Sequence, residues 1–284
     1  MESVGSEKLG FIEFYRNALS MQQTVDPPNR HITISIVSHG HGSEVERLVS
    51  QVLEEPFVRR ITLTLNLPET LNLPNDDRVL VIKNNEAKGF GANHNAAFKH
   101  CGTPFFCVLN PDIVLLKGSF GELVNCLLSN KAAVAGPIVI SPDGQQEDSW
   151  RQFPTLRSLT LKALGHDTTM IRPIDGHSPL FPDWVAGMCM LFSSDIFSKM
   201  GGFDERLFLY YEDVDICARL WRAGQSVVAS PRAAVIHNAQ RASRYKWEHM
   251  RWHAISMCKY FGRYWFRLPQ HTRQQTDTGH VGSA

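Results

Sequence analysis

Between residues 31 and 110, four short runs are rich in Ile, Val, Leu, Phe and Thr: HITISIV (31–37), ITLTLN (61–66), RVLVIKN (78–84) and PFFCVLN (104–110). Apolar residues recur at helical spacing over 43–55, between the first two runs, and over 90–100, between the last two. The runs are nearly continuous rather than alternating, the pattern of strands covered on both faces. Strands alternating with helices predict parallel pairing in an α/β sheet. Past residue 131 the pattern loosens into AAVAGPIVI, a polar loop over 141–152, DWVAGMCMLF and the strand-like AAVIH. A helix is predicted over 194–200, stopped by Gly201-Gly202, and another over 212–223, stopped by Gly224. An α/β half is followed by a mixed α+β half, without internal repeats.

Charge places one boundary. Residues 1–240 carry 21 Lys and Arg against 26 Asp and Glu, whereas 241–268 carry seven basic residues and only Glu248. The whole chain of 284 residues balances to +1, which gives no global reason to expect nucleic acid as a partner. The longest apolar run, Val185 to Phe192, is far too short to span a bilayer. The start, MESVGSEKLG, shows no basic stretch followed by an apolar one, so a protein on the cytosolic side is expected. The six cysteines form no CxxC pair and read as free, buried thiols.

In open α/β sheets ligands bind beyond the carboxyl ends of the strands. The first strand ends in Ser38-His39-Gly40-His41-Gly42, the second in Asn66-Leu67-Pro68-Glu69 and the fourth in Asn110-Pro111-Asp112. A carboxylate such as Asp112 at that edge suits a divalent cation carrying a diphosphate, because Mg²⁺ and Mn²⁺ prefer carboxylate oxygens and leave positions for phosphate. By itself, however, an NPD tripeptide is more commonly a turn. Asn85–Asn95, with Gly89 and Gly91, opens a helix whose N-terminus favours phosphate or polar ligand atoms. Tyr210-Tyr211-Glu212-Asp213-Val214-Asp215 packs three carboxylates into four residues at a helix start. Their repulsion raises at least one pKa, which suits a general base near neutral pH, though a merely capping first turn explains the residues equally well. His237, ending AAVIH, is either a metal ligand or a hydrogen-bonded, partly buried histidine, and the second is the commoner state. The HxH of His39 and His41 lacks a third ligand for zinc.

Order and spacing decide what the segments separately do not. IVSHG, NNEAKGFGANHNAA, FFCVLNPDIVL, VAGPIVISPDGQ, RQFPT, DWVAGMCMLF, KMGGFDERLFLYYEDVDICARLWRAG and AAVIHN follow one another over residues 31–240. In this order the chain resembles family 2 glycosyltransferases of the GT-A fold, within them the bacterial rhamnosyltransferase-like branch. The resemblance implies an α/β, Rossmann-like nucleotide-diphospho-sugar transferase with a mixed sheet flanked by helices and a C-terminal basic-aromatic helical appendage. With the charge boundary and the polar end, the chain divides into an N-terminal extension (1–30), the GT-A domain that the resemblance implies (31–240), a basic amphipathic helical segment (241–268) and a tail expected to be disordered (269–284).

On matching residues it implies Asp213 as catalytic base with Glu212 beside it, and Asp112 as the metal-binding carboxylate with His237 completing the site. Ser38, His39, Asn66, Lys88, Gly89, Asn93, Asn95 and Asn110 fall at nucleotide-binding positions. Arg151, Asp183, Trp184 and Gly187 fall in segments facing sugar and acceptor. The implied cofactor is Mg²⁺ or Mn²⁺, and the implied partners are a nucleotide sugar, foremost dTDP-L-rhamnose, and a saccharide or lipid-linked saccharide. Two departures stand out: Asn110 replaces the usual first Asp of the metal motif, so cation affinity without nucleotide is expected to be weak. The turn after the second strand is Asn66-Leu67-Pro68-Glu69-Thr70 rather than Asp-rich, which leaves the base open among dTDP, UDP and GDP.

Two other functions share part of this pattern. A sugar nucleotidyltransferase shares the nucleotide logic but would carry a Gly-rich, basic phosphate loop where SHGHGSE stands. A silent binding scaffold would be favoured by loss of Asp112 or Asp213, and both are present. The segment RASRYKWEHMRWHAISMCKYFGRYWFRL is read evenly as a helix on the cytoplasmic face of the inner membrane, or as one packed on the catalytic domain or at a homodimer interface.

Overall fold

A computed structural model describes residues 28–147, 149–173, 177–238, 246–264 and 268–269. The N-terminal extension before residue 28 and the tail beyond residue 269 lie outside the described residues. In chain order the elements are β1 (Ile32–Ser38), α1 (Ser43–Leu53), β2 (Val58–Leu65), β3 (Val79–Lys83), α2 (Phe90–Phe98), β4 (Phe105–Leu109), β5 (Ile113–Leu115) and α3 (Ser119–Ser129). There follow β6 (Val134–Ile140), β7 (Trp150–Arg151), α4 (Leu156–Ala163), β8 (Trp184–Val185), β9 (Cys189–Ser193), α5 (Ser194–Lys199), α6 (Glu212–Arg222), β10 (Val227–His237) and α7 (Lys246–Tyr264).

Eight strands form one mixed sheet in the order β3-β2-β1-β4-β9-β6-β10-β5, and β7 with β8 makes a two-stranded ribbon. The pairs β3–β2, β2–β1, β1–β4 and β6–β10 are parallel; β9 runs antiparallel to both β4 and β6. The α/β half is therefore parallel, as the alternation predicts. Both faces of the sheet are covered. Along β4, Phe105, Cys107 and Leu109 enter a core shared with Val45, Leu48 and Val49 of α1 and Phe120 and Leu123 of α3. Phe106 and Val108 enter the opposite core with Phe197, Phe203 and α6 residues Ile216 and Leu220. Edge strand β3 is the exception, since Val81 stays exposed.

The sequence pattern misses β5, β7, β8, α3 and α4 and sees only the end of β10. That strand carries an irregularity between Ser230 and Ala234 in its pairing with β6, around Pro231, whose missing N–H cannot join a ladder.

A third cluster answers one open question about the basic segment. Tyr260 and Tyr264 of α7 pack with Phe153, Tyr211, Val214 and Ala218, so α7 docks on the body of the fold. One cysteine expectation needs correction: all six thiols are free, but Cys258 on the outward side of α7 is exposed and Cys101 only partly covered.

Register puts the strand ends that matter on one edge. Leu109 at the end of β4 faces Cys189 at the start of β9, and Ile236 near the end of β10 pairs with Ile140 at the end of β6. The carboxyl ends of β1, β2, β4 and β10 thus open on the same side.

Candidate active site

Asp112 lies just past β4. Its own carbonyl accepts the Asn238 N–H at 2.9 Å, and the Asn110 N–H is donated to the Met188 carbonyl at 2.9 Å. The Asp112 Oδ2 is 3.0 Å from Nε2 of His237, whose Nδ1 is 2.6 Å from Oε2 of Glu147. Burial pushes the Asp112 carboxyl up, but the hydrogen bond and charge of His237 outweigh it and hold the pKa below the usual value. The same bond to Asp112 lifts His237 to about 9, against burial and with help from Glu147. The second oxygen, Oδ1 of Asp112, is buried and lacks a hydrogen-bond partner among the described residues. A buried carboxylate oxygen left over beside an imidazole fits a divalent cation, which takes O and N donors and competes with the imidazole proton.

The second carboxylate group sits where α6 begins. Tyr210 and Tyr211 precede it with φ of 71° and 67°, a left-handed pair that side chains seldom adopt. Asp213 Oδ2 accepts the Gly187 N–H at 2.9 Å, and Oδ1 accepts the Val214 N–H at 2.8 Å. A Cβ on Gly187 would make ordinary van der Waals contact, 3.4 Å from the Phe90 ring and 3.5 Å from Asp213 Oδ2. Glu212 is buried, and desolvation followed by the Asp213 charge pushes its carboxyl well above the usual range. Asp215 turns the other way, accepting from Arg219 at 2.8 Å, Arg263 at 2.6 Å and the Tyr264 hydroxyl at 2.8 Å. One backbone path, Asp213–Gly187–Met188–Asn110–Asp112, joins the base candidate to the metal candidate through two hydrogen bonds.

A third group lies beyond β1, β2 and β3. The buried amide of Asn66 donates to the Lys88 carbonyl at 2.8 Å and accepts the Lys88 N–H at 2.9 Å. Asn84 donates to Asn66 and to Asn93, both at 2.7 Å, and the His39 ring lies 3.1 Å from the Asn66 amide. Burial, then the neighbouring His41, lowers the His39 pKa, which favours the neutral ring. Ser38 and Asn66 meet through the backbone, Asn66 N–H to Ser38 carbonyl at 2.8 Å. Glu69 receives the Gly40 and Gly42 N–H groups at 3.3 and 3.1 Å, closing the loop after β1.

Not every residue singled out from sequence joins these groups. The Asn95 amide instead clamps Phe203, donating to its carbonyl and accepting its N–H, both at 2.9 Å. Arg151 is buried against Asp167 at 2.7 Å. Asp183 accepts the Phe153 N–H at 2.6 Å, and the Trp184 indole donates to the Gln152 carbonyl at 3.0 Å. These three hold the ribbon and the segment behind it. Conversely, Asn84 and Glu147 escaped the sequence reading. Asn84 was legible as a polar residue ending a strand, whereas Glu147 lies in a polar loop without a distinguishing signal.

The chain matches the Rhamnosyltransferase WbbL of Escherichia coli (strain K12) at 27% identity over 245 residues, 82% of this chain and 93% of that protein. It also matches the N-acetylglucosaminyl-diphospho-decaprenol L-rhamnosyltransferase of Mycobacterium tuberculosis (strain ATCC 25618 / H37Rv) at 34% over 146 residues, 46% of each chain. Among solved structures, the mannosyltransferase PcManGT from Pyrobaculum calidifontis, in complex with GDP-Man and Mn²⁺, superimposes with a TM-score of 0.56 at 12% identity, over 92% of this chain and 73% of that one. GalNAc-T7 with UDP, GalNAc and Mn²⁺ gives 0.57 at 14%, over 75% and 44%. These neighbours share the GT-A fold. The family described as "Glycosyltransferase like family 2" matches residues 62–254, from β2 into α7. With most of its length so matched, the chain belongs to the family 2 glycosyltransferases and is a transferase enzyme.

Proposed function

We propose that this glycosyltransferase moves L-rhamnose from dTDP-L-rhamnose to a hydroxyl of a saccharide or lipid-linked saccharide, with inversion, in bacterial surface polysaccharide or lipopolysaccharide synthesis. The sugar rests on the two rhamnosyltransferase relatives, and the lipid-linked acceptor on the name of the mycobacterial one. The observation that carries the mechanism is the short path between Asp213 and Asp112 at one edge of the sheet, through the Gly187 N–H on the Asp213 carboxylate and the Asn110 N–H on the Met188 carbonyl.

In this reading Asp213 takes the proton of the acceptor hydroxyl while that oxygen bonds to the anomeric carbon. The bond from that carbon to the diphosphate oxygen breaks in the same displacement, and its electron pair leaves with the nucleotide. The Gly187 N–H holds Oδ2 of the base, so the carboxylate needs little reorientation. Burial, then the Asp213 charge, pushes the Glu212 carboxyl well above the usual range, which favours its neutral form beside the base. Asn66, Lys88, Asn84 and Asn93 form a stiff polar frame for the nucleoside, with His39 at its side. Asp112 and His237 would hold Mg²⁺ or Mn²⁺, and that charge favours departure of the diphosphate.

Thermal shifts with dTDP, UDP and GDP, each with Mn²⁺, Mg²⁺ or EDTA, test this. A ligand of the folded state stabilises by about 2.7 kcal/mol at a hundredfold excess over Kd. The expected result is a metal-dependent shift with dTDP. A shift confined to UDP or GDP would overturn the donor, and silence with all three would favour a binding scaffold.

Peripheral contact with the cytoplasmic face of the inner membrane belongs to the same proposal. No helix among the described residues is long and apolar enough to cross a bilayer. Yet Trp247, Met250 and Ile255 of α7 are exposed, beside Arg251, on the side turned from the domain. Trp with apolar and basic neighbours on one helix face suits the headgroup boundary of an anionic bilayer.

A further inference from the structure

We infer that Glu147 is a positioning residue for His237, selecting the ring nitrogen offered beside Asp112. The inference rests on the reading that Asp112 and His237 hold the cation.

An imidazole ligand must present a lone pair from one nitrogen while the other keeps its proton, and the partner of that second nitrogen decides which is which. Glu147 Oε2 lies 2.6 Å from Nδ1 of His237, and a carboxylate oxygen placed there is an acceptor that draws the N–H to that side. Nε2, 3.0 Å from Asp112 Oδ2, is then the nitrogen left for the cation, next to the buried Oδ1. The fold supplies the alignment. The Glu147 N–H is donated to the Val139 carbonyl at 2.9 Å, and its carbonyl accepts the Ser149 hydroxyl at 3.1 Å. Val139 belongs to β6, whose partner in the sheet is β10, and Val139 pairs with Val235 two residues before His237. Glu147 is thus fastened to the strand beside the one that ends in His237, across a loop whose sequence alone suggests nothing.

The test is Mn²⁺ affinity of the full chain with dTDP present, read as free Mn²⁺ by electron paramagnetic resonance. Glu147→Ala should bind Mn²⁺ about 10–100-fold more weakly, the usual effect of removing the outer partner of a ligating histidine. Glu147→Gln, which retains an acceptor oxygen, should recover most of that loss, and both should melt like the parent without metal. Unchanged affinity in Glu147→Ala alongside lost binding in Asp112→Asn overturns this inference and leaves the cation site standing. Unchanged affinity in both overturns the cation site and this inference with it. Equal losses in the Ala and Gln variants would mean that charge, rather than the hydrogen bond, matters, and would also overturn it.

Discussion

Three carboxylates within four residues meet three different environments. Glu212 is buried and pushed up, Asp213 is held by two N–H donors, and Asp215 is locked to two arginines and a tyrosine. A sequence shows their proximity; only packing divides them. Asp213→Asn keeps an oxygen for the Gly187 N–H, loses the acceptor for the Val214 N–H and removes the basic site, so transfer should fall about 10²–10⁴-fold while the enzyme stays folded. Wild-type turnover in a folded Asp213→Asn enzyme would end the assignment. For Glu212 the folded pKa is raised above 4.5, so the folded state keeps a proton that the unfolded chain releases as pH rises. Stability from this group is present at low pH and is lost as pH climbs through that window. Glu212→Gln should therefore lose less melting temperature than the parent as pH rises above 4.5. Asp112 and His237 were each legible as candidates, but their contact, 125 residues apart in the chain, is a product of β10 pairing with β5, where His237 stands opposite Ile113.

At the scale of elements, the α/β half could be read from its strands because continuous apolar runs leave few other choices. The ribbon strands β7 and β8, two residues each, carry no period to detect, and Pro231 hid most of β10. The start of α2 shows what periodicity also omits. Phe90 donates its N–H to the Phe208 carbonyl at 2.9 Å, and a Cβ on Gly89 would stand 2.6 Å from that same oxygen. Gly89 is therefore needed for the close approach of two backbones, one from the frame around Asn66 and one from the loop before Asp213. Gly89→Ala should cost about 1–3 kcal/mol, read by chemical denaturation, and should weaken nucleotide binding as well. An unaffected midpoint would mean that the loop yields without cost.

For the whole molecule, the contrast between an acidic body and a basic end becomes a docking arrangement. Arg263 reaches both Asp204 and Asp215 at 2.6 Å, Ser256 donates to the Leu209 carbonyl at 2.8 Å, and the Tyr210 hydroxyl is 2.8 Å from His249. Composition alone left packing and membrane attachment level, because aromatic residues serve both. The structure gives α7 an inner face for the domain and an outer one with Trp247 and Met250. A chain ending at residue 240 should melt at lower temperature, having lost Tyr260 and Tyr264 from the third cluster, and should no longer pellet with anionic liposomes. Equal pelleting of the two lengths would remove the membrane contact while leaving the packing intact.

The left-handed tyrosines have one more consequence. Such backbone costs on the order of 1–3 kcal/mol per residue and persists only where its surroundings hold it. Here the holders include His249 against Tyr210, and His253 and Tyr260 against Tyr211, all from α7. The turn before Asp213 and α7 are therefore a single inheritable unit. A chimera that borrows the end of a relative, to change where the enzyme settles or what it accepts, must bring residues 204–215 along with it.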